Sequence, residues 1–121
     1  MVFGIGTDIV AVERFKKLKD KEGFLAQFLS SEELSHAPKG SRDLYYASRF
    51  AVKEAALKAL GCGLSRGSFW HDIQVSKDIR VSLSGRLLKF LPAGGGHFIH
   101  ASVSEAGEFA VAYVIIENIN K

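Results

Sequence analysis

The stretch from residue 42 to residue 60 constrains the fold more than any other part of the chain. It contains neither proline nor glycine and is rich in alanine and leucine, which are strong helix formers. Gly61 follows directly, and glycine is the usual residue just beyond a helix end. The sequence therefore predicts a helix over 42–60, ~28 Å long, with Ser41 as its N-cap.

The faces of this helix differ in character. Glu54 and Lys58 lie four residues apart and so share one face, and Arg49 and Lys53 repeat that spacing on a neighbouring face. A stripe of small and apolar residues is predicted to pack on the core: Leu44, Ser48, Ala51, Val52, Ala55 and Ala59. Taken alone, the helix favours a surface position, with a Glu-to-Lys pair worth only about 0.2–0.5 kcal/mol.

The rest of the chain predicts shorter elements. Apolar periodicity and turn residues indicate strands over 2–10, 72–76, 80–83, 98–104 and 109–116, and short helices over 9–18, 23–29 and 85–91. Ser30 and Ser31 before Glu32 and Glu33 are typical of an N-cap with a capping box and predict the start of another short helix. The last two strands form a hairpin, and the nearly all-apolar 109–116 is expected to be central. The order predicts a single α+β domain over 1–121, with the long helix laid across a mainly antiparallel sheet that the first strand must join.

Composition restricts the class of protein. The chain has 121 residues, of which 47% are hydrophobic and 24% charged, as in ordinary globular domains. The single cysteine, Cys62, excludes an internal disulfide and indicates a reducing compartment. No apolar run reaches membrane-spanning length and no secretory signal pattern is present, so we expect a cytoplasmic protein without a membrane partner. The net charge of +3 is too small to indicate nucleic-acid binding.

The positive charge is unevenly distributed. Five cations fall within eight residues, opposed in that stretch only by Asp20: Arg14, Lys16, Lys17, Lys19 and Lys21. This basic segment suits an acidic partner or phosphate groups, although a plain solvated helix face is the commoner explanation for such a cluster.

Two carboxylates stand in apolar surroundings, Asp8 in the first strand and Glu54 in the long helix. Asp8 could equally cap the next helix. If the helix packs on the sheet, the two can converge, and two carboxylates with waters and substrate oxygens suit Mg²⁺. A zinc site is not indicated, because Cys62 stands alone and the four histidines lack ligand spacing.

Cations near this pair extend the pattern. Lys58 lies one turn from Glu54, within reach of a metal-bound phosphate, and further phosphates could be held by Arg42, Arg49, Lys53 and Arg66. No serine lies in a nucleophile elbow, and Cys62 follows a helix C-terminus, where the dipole would raise the pKa of its thiol. These features favour direct transfer of a phosphoryl or phosphopantetheinyl group between two bound substrates.

Two separated motifs carry a family resemblance. Gly6-Thr7-Asp8-Ile9, followed about forty residues later by the segment 49–61 (RFAVKEAALKALG), resembles the signature of the phosphopantetheinyl transferases. Chain length and the final hairpin place the chain closest to the short bacterial type. The resemblance implies the family's fold and transfer of 4′-phosphopantetheine from coenzyme A to a serine of apo acyl carrier protein, releasing 3′,5′-ADP.

The resemblance also implies roles for individual residues. Asp8 and Glu54 match the Mg²⁺ ligands, Lys58 the lysine beside the pyrophosphate, and Arg49 the arginine directed at the 3′-phosphate. Further candidate contacts to coenzyme A are Arg42, Lys53, Gly61 and Gly63. Glu54 or a metal-bound water could take the serine proton, and the sequence leaves both open.

The same family resemblance implies which residues contact the carrier protein and other subunits. Arg14, with Lys17 and Lys21, matches the basic surface that meets the acidic carrier helix. Family members of this length are similar in forming homotrimers with active sites at subunit interfaces.

Two positions depart from the family pattern. Ser104-Glu105 stands where many members have Ser-His, so the histidine's role toward the coenzyme phosphates has no counterpart here. Gly85-Arg86-Leu87 stands where many have Gly-Lys-Pro. Two other classes remain open at this stage: a non-catalytic module that docks an acidic carrier-type protein through residues 14–21, and a nucleotide-binding structural protein, which the lack of a phosphate loop disfavours.

Overall fold

The computed structural model describes residues 1–40, 42–62, 69–92 and 96–119. Within these ranges the strands and α-helices follow one another as β1 (Val2–Ala11), α1 (Glu13–Lys16), α2 (Lys21–Phe28), α3 (Ser31–Ser35), α4 (Arg42–Leu60), β2 (Ile73–Val75), β3 (Val81–Leu83), β4 (His97–Ala106) and β5 (Phe109–Asn118). The 3₁₀ helix Trp70–Asp72 precedes β2, and the 3₁₀ helix Gly85–Phe90 follows β3. The predicted cap Ser41 lies outside the described residues.

The main sheet has the strand order β1-β5-β4 and is antiparallel throughout. β5 is central, as its apolar sequence predicts, and it pairs Ile116 with Gly4 of β1 on one side and with Ile99 of β4 on the other. The α+β prediction of a long helix on an antiparallel sheet is therefore confirmed. β2 and β3 pair with each other in a separate two-stranded sheet, which the sequence pattern did not distinguish from the first.

Helix α4 has the predicted bounds but not the predicted surroundings. Its residues from Tyr45 to Leu60 are buried except Lys58, so the interpretation of a surface helix is wrong. One side packs on β1 and β5. Other sides are covered by α1, by β2 and by the rings of Phe24 and Phe28 from α2, which pack on Phe50. The helix is thus enclosed, and a polar residue inside it needs an internal partner.

The packing of β1 on α4 depends on two glycines. Gly4 and Gly6 face the helix, and a Cβ added there would lie 1.9 Å from the carbonyl oxygen of Ala59 and 1.8 Å from that of Ala55, respectively. Side chains are therefore excluded at both positions, because the strand runs directly against the helix backbone. Asp8 is two residues further along the same side of β1, so this close approach also brings its carboxylate toward α4.

The short helices differ in detail from the sequence prediction. The strand β1 continues through Ile9 to Ala11, and the helix predicted over 9–18 is reduced to Glu13–Lys16. The capping box at Ser30 and Glu33 is confirmed: Ser30 Oγ accepts from the Glu33 N–H at 3.1 Å, and Glu33 Oε1 accepts from the Ser30 N–H at 2.9 Å.

Candidate active site

A cleft of about 440 Å³ lies where β1, α1, α4 and the 3₁₀ helix at Trp70 meet. Its polar lining comes from Asp8, Arg14, Glu54 and Trp70, and its apolar lining from Ile9, Phe24 and Phe50. The structure thus brings the two predicted carboxylates to one cavity, although they are 46 positions apart in the sequence. Mg²⁺ sites in proteins commonly use one or two carboxylates, with phosphate oxygens and water as the remaining ligands.

Asp8 and Lys58 form an ion pair at the edge of the cleft. Lys58 Nζ lies 2.9 Å from Asp8 Oδ1 and donates to the Thr7 carbonyl oxygen at 3.0 Å. The Asp8 side chain is 16% exposed and that of Lys58 is 42% exposed, so the ammonium remains accessible to a ligand. The alternative role of Asp8 as a helix cap is wrong, because α1 starts after Val12 without any side-chain cap.

Glu54 is 4% exposed and reaches the cleft from inside the helix. The indole N–H of Trp70 donates to Glu54 Oε2 at 2.8 Å. Sequence reasoning did not select Trp70. The only available signal was its identity as the single tryptophan, placed shortly before the strand at Ile73.

Arg14 forms the wall of the cleft nearest α1. Its guanidinium carbon lies 4.9 Å from the centre of the Phe50 ring, a cation–π geometry that holds the charge over the opening. The other candidates of the basic segment are partly neutralised: Lys17 pairs with Glu13 at 2.8 Å, and Lys21 pairs with Asp43 at 2.5 Å. Acids outside residues 14–21 therefore oppose the basic segment in addition to Asp20.

Lys53 does not lie in the cleft, contrary to the sequence prediction. Its side chain is fully buried, and Nζ donates to the Phe28 carbonyl oxygen (2.5 Å), Glu33 Oε1 (2.8 Å) and the Trp70 carbonyl oxygen (3.1 Å). Three acceptors use all three donors of an ammonium group, which leaves none for a phosphate. Burial lowers the pKa of Lys53, while the Glu33 carboxylate opposes that shift.

Arg49 and Arg42 face other parts of the molecule. Arg49 is 8% exposed, its guanidinium carbon lies 4.3 Å from the centre of the Tyr45 ring, and it donates to the carbonyl oxygens of Ser76 (3.4 Å) and Lys77 (3.1 Å). Arg42 lines a separate cleft of about 300 Å³ with Lys16 and Glu108. Neither arginine lines the cleft of Asp8 and Glu54 in this chain, and their predicted contacts to coenzyme A stay predictions.

The segment after α4 is described only in part. Gly61 has φ +79° and donates its N–H to the carbonyl oxygens of Leu57 and Lys58, so it ends the helix as predicted. Burial raises the pKa of the Cys62 thiol, which agrees with the expectation that it is not a nucleophile. Gly63, a candidate contact to coenzyme A, and Arg66, a candidate to hold a further phosphate group, lie outside the described residues.

Within the described ranges, no group of three or more His, Cys, Asp or Glu side chains is arranged to hold a metal ion. The cleft therefore offers a pair of carboxylates rather than a complete cage. Over the same ranges, no helix has the length and apolar character needed to cross a membrane.

Sequence comparison identifies the family of this chain. The family model of the 4′-phosphopantetheinyl transferase superfamily matches residues 4–114, and the chain belongs to this superfamily. Within it, the chain is 39% identical over 124 residues to holo-[acyl-carrier-protein] synthase of Vibrio campbellii, covering 97% of this chain and 98% of the relative. It is 36% identical to the protein of the same name from Brucella ovis, with 97% and 96% covered.

Solved structures lead to the same subgroup. The holo-[acyl-carrier-protein] synthase of Neisseria meningitidis superposes with a TM-score of 0.75 at 32% identity, covering 97% of this chain and 99% of that one. The Bacillus anthracis enzyme, crystallised in complex with CoA (3′,5′-ADP), superposes with a TM-score of 0.74 at 35% identity, covering 97% of each chain.

Proposed function

We propose that this chain transfers the 4′-phosphopantetheine group of coenzyme A to a serine hydroxyl of an apo acyl carrier protein, leaving 3′,5′-ADP. The observation that carries the proposal is the meeting of Asp8 and Glu54 in one cleft, with the Lys58 ammonium paired to Asp8 at its edge. The names of the relatives and the coenzyme complex of the Bacillus anthracis enzyme support the choice of substrates.

Asp8 and Glu54 would hold a Mg²⁺ ion together with the pyrophosphate of coenzyme A. When bound, the ion supplies neutralisation of charge on the phosphate oxygens. Asp8 would bind it from β1 and Glu54 from α4, and both elements hold their carboxylates at one cleft. The residues fit this ion because both donors are carboxylates and the cleft is open to solvent, so phosphate and water could supply the remaining ligands.

Lys58 acts on the leaving group. Its exposed ammonium is paired to Asp8 at the edge of the cleft. From there its positive charge would stabilise the departing phosphate of 3′,5′-ADP. The attacking serine hydroxyl loses its proton to Glu54 or to a water molecule, and both remain possible bases. Phe24, Phe50 and Ile9 form the apolar wall of the cleft.

The carrier protein docks on the side of Arg14. This guanidinium lines the cleft itself and is anchored over Phe50, so an acidic helix bound there would bring its serine toward Asp8 and Glu54. Lys17 and Lys21 are already paired with Glu13 and Asp43, and they contribute less to the positive surface.

The active assembly is proposed to be a homotrimer in the cytoplasm. The sheet face turned away from α4 exposes several apolar side chains: Ile5 pairs with Ile115, and the next outward pair is Thr7 with Tyr113. β4 adds polar side chains to the same face, with His100 opposite Ile115 and Ser102 opposite Tyr113. Ile5 is 63% exposed and Tyr113 is 54% exposed, and clusters of large exposed apolar side chains commonly mark protein interfaces. The number of subunits rests on the family resemblance.

A mass-spectrometric assay tests the proposal. The protein is incubated with apo carrier protein, coenzyme A and Mg²⁺, with and without a chelator, and the carrier is weighed. The mass gain of one phosphopantetheine group, absent with chelator, is the expected result. Binding of the carrier without any mass gain would instead identify a non-catalytic docking module.

A further inference from the structure

The indole of Trp70 makes a directed contact with the site. Its Nε1 lies 2.8 Å from Oε2 of Glu54, and the ring lines the same cleft as the carboxylate. Because a hydrogen bond is directional, an N–H donor at this distance restricts the orientation of the carboxylate plane.

Trp70 is itself held in place from both sides. Its carbonyl oxygen accepts from Lys53 Nζ at 3.1 Å, and its ring centroid lies 5.5 Å from that of Phe50 and 6.0 Å from that of Phe28. Lys53 is anchored in turn by the buried carboxylate of Glu33. The donor therefore has a single orientation, because both the backbone and the ring of Trp70 are fixed by buried neighbours.

Lys53 and Glu54 are adjacent on α4, and they contact different parts of Trp70. Lys53 holds the backbone of Trp70, and the side chain of Trp70 returns to Glu54. This closed loop links a charge inside the core to a carboxylate in the cleft. Trp70 has no role in the phosphate transfer described above, so its contact with Glu54 needs a separate explanation.

We propose that Trp70 is a positioning residue whose indole N–H orients the Glu54 carboxylate and thereby sets the affinity of the site for its divalent cation. The inference rests on the proposed function, because it concerns the same carboxylate. Carboxylates that bind metals are commonly oriented by outer hydrogen-bond donors, and loss of such a donor weakens metal binding by about 10- to 100-fold.

The first test compares divalent cation binding in three proteins. Mn²⁺ replaces Mg²⁺ as the probe, coenzyme A is present, and free Mn²⁺ is measured by electron paramagnetic resonance. Trp70→Phe keeps an aromatic ring but removes the donor, and we expect about tenfold weaker binding. Phe28→Leu is the matched control, since Phe28 packs on Trp70 but does not line the cleft. It should lower stability and leave Mn²⁺ affinity unchanged.

A second variant removes only the hydrogen bond. Trp70 is the single tryptophan of the chain, so an isosteric analogue with sulfur in place of the indole N–H can be introduced at this position alone. It preserves the ring packing and should weaken Mn²⁺ binding as Trp70→Phe does. In the transfer assay, both proteins should need more Mg²⁺ for half-maximal rate and should approach the normal rate at saturating Mg²⁺.

The outcomes separate the two proposals. Normal Mn²⁺ affinity in the sulfur analogue overturns the role of Trp70 and leaves the proposed function intact. An equal loss of affinity in Phe28→Leu also overturns it, because ring packing rather than the N–H would then be responsible. Absence of Mn²⁺ binding in the unmodified protein overturns the metal assignment itself, and the Trp70 inference with it.

Discussion

Lys53 Nζ lies 2.8 Å from Glu33 Oε1, and neither side chain has any exposed surface. Glu33 also accepts from the backbone N–H groups of Ser30 and Val75, so one carboxylate joins α3, α4 and β2. A fully buried ion pair is costly to break, because the remaining charge has neither water nor a counter-ion.

Replacement of Lys53 should therefore destabilise the fold far more than replacement of Lys58 on the same helix. Lys53→Met leaves the Glu33 carboxylate buried without its cation, and we expect a loss of about 3–5 kcal/mol in the free energy of unfolding. Lys58→Met removes an ion pair at the protein surface and should cost about 1 kcal/mol or less. Urea denaturation of the two variants measures both values, and similar losses would contradict the assignment of Lys53 to the core.

Tyr45 makes stability depend on pH in the alkaline range. Its hydroxyl donates to the Glu33 carbonyl oxygen at 2.6 Å, and burial raises its pKa above the usual 10.0. Because the folded state keeps this proton longer than the unfolded chain, the contribution of the hydroxyl is fully present below pH 10 and is lost as the pH rises through the folded-state pKa.

The comparison with Tyr45→Phe isolates this effect. The natural protein should be more stable than the variant by about 1 kcal/mol at pH 8, and the difference should shrink above pH 10. Denaturation curves at pH 8, 10 and 11 provide the measurement. A difference that is constant or grows with pH would show that the hydroxyl does not titrate as argued.

The contact of β1 with α4 predicts a steep cost for any side chain at Gly6. An added Cβ would lie 1.8 Å from the Ala55 carbonyl oxygen, so Gly6→Ala must push the strand off the helix. We expect a loss of about 3 kcal/mol or more, at the upper end of the usual range for overpacking. Gly40→Ala is the control, since nothing lies within 4 Å of its added Cβ. Thermal unfolding should separate the two by many degrees.

The carboxylates of the cleft should be required for transfer but not for folding. Asp8→Ala or Glu54→Ala is expected to abolish Mg²⁺-dependent modification of the carrier while the circular dichroism spectrum is retained. Lys58→Ala should lower the rate by about 100- to 1,000-fold, as loss of one electrostatic contact to a transition state commonly does. Glu32→Ala, an exposed acid on α3, serves as the control. Near-normal turnover of either carboxylate variant would overturn the metal assignment.

The exposed face of the main sheet predicts self-association. Ile5→Glu places a charge beside Ile115 among the exposed apolar side chains of this face and should convert the assembly to monomers in sedimentation-velocity experiments, because burying a charge at an interface is strongly unfavourable. Glu32→Gln, remote from the sheet, should leave the sedimentation coefficient unchanged. A monomeric natural protein at micromolar concentration would contradict the trimer proposal.

Local patterns of the sequence were sufficient for some elements and not for others. The bounds of α4 follow from the absence of breakers before Gly61, and the final hairpin follows from the alternation of β4 and the apolar run of β5. These signals are local, so a single sequence contains them. The number of sheets was not predictable, because β2 and β3 are each three residues long and carry no sign of which edge they pair with.

The site shows the same division. Asp8 and Glu54 could be selected because each is a charge in an apolar segment, and the structure places both in one cleft. Lys53 was misplaced because a helix enclosed on several sides has no solvent face, so helical periodicity cannot tell its buried lysine from its exposed one. Trp70 was missed because its contact with Glu54 depends on the path of the chain after α4, which no local pattern specifies.

Strand β1 supplies both the glycines that fit against α4 and the acid that faces the cleft, all on one side of the same ten residues. The alternation of a strand means that inserting or deleting one residue between Gly6 and Asp8 would turn the acid outward whenever the glycines stay in place. The number of residues between Gly6 and Asp8 therefore matters as much as the residue types at these positions. Insertions and deletions should be less tolerated in this part of β1 than at the turns.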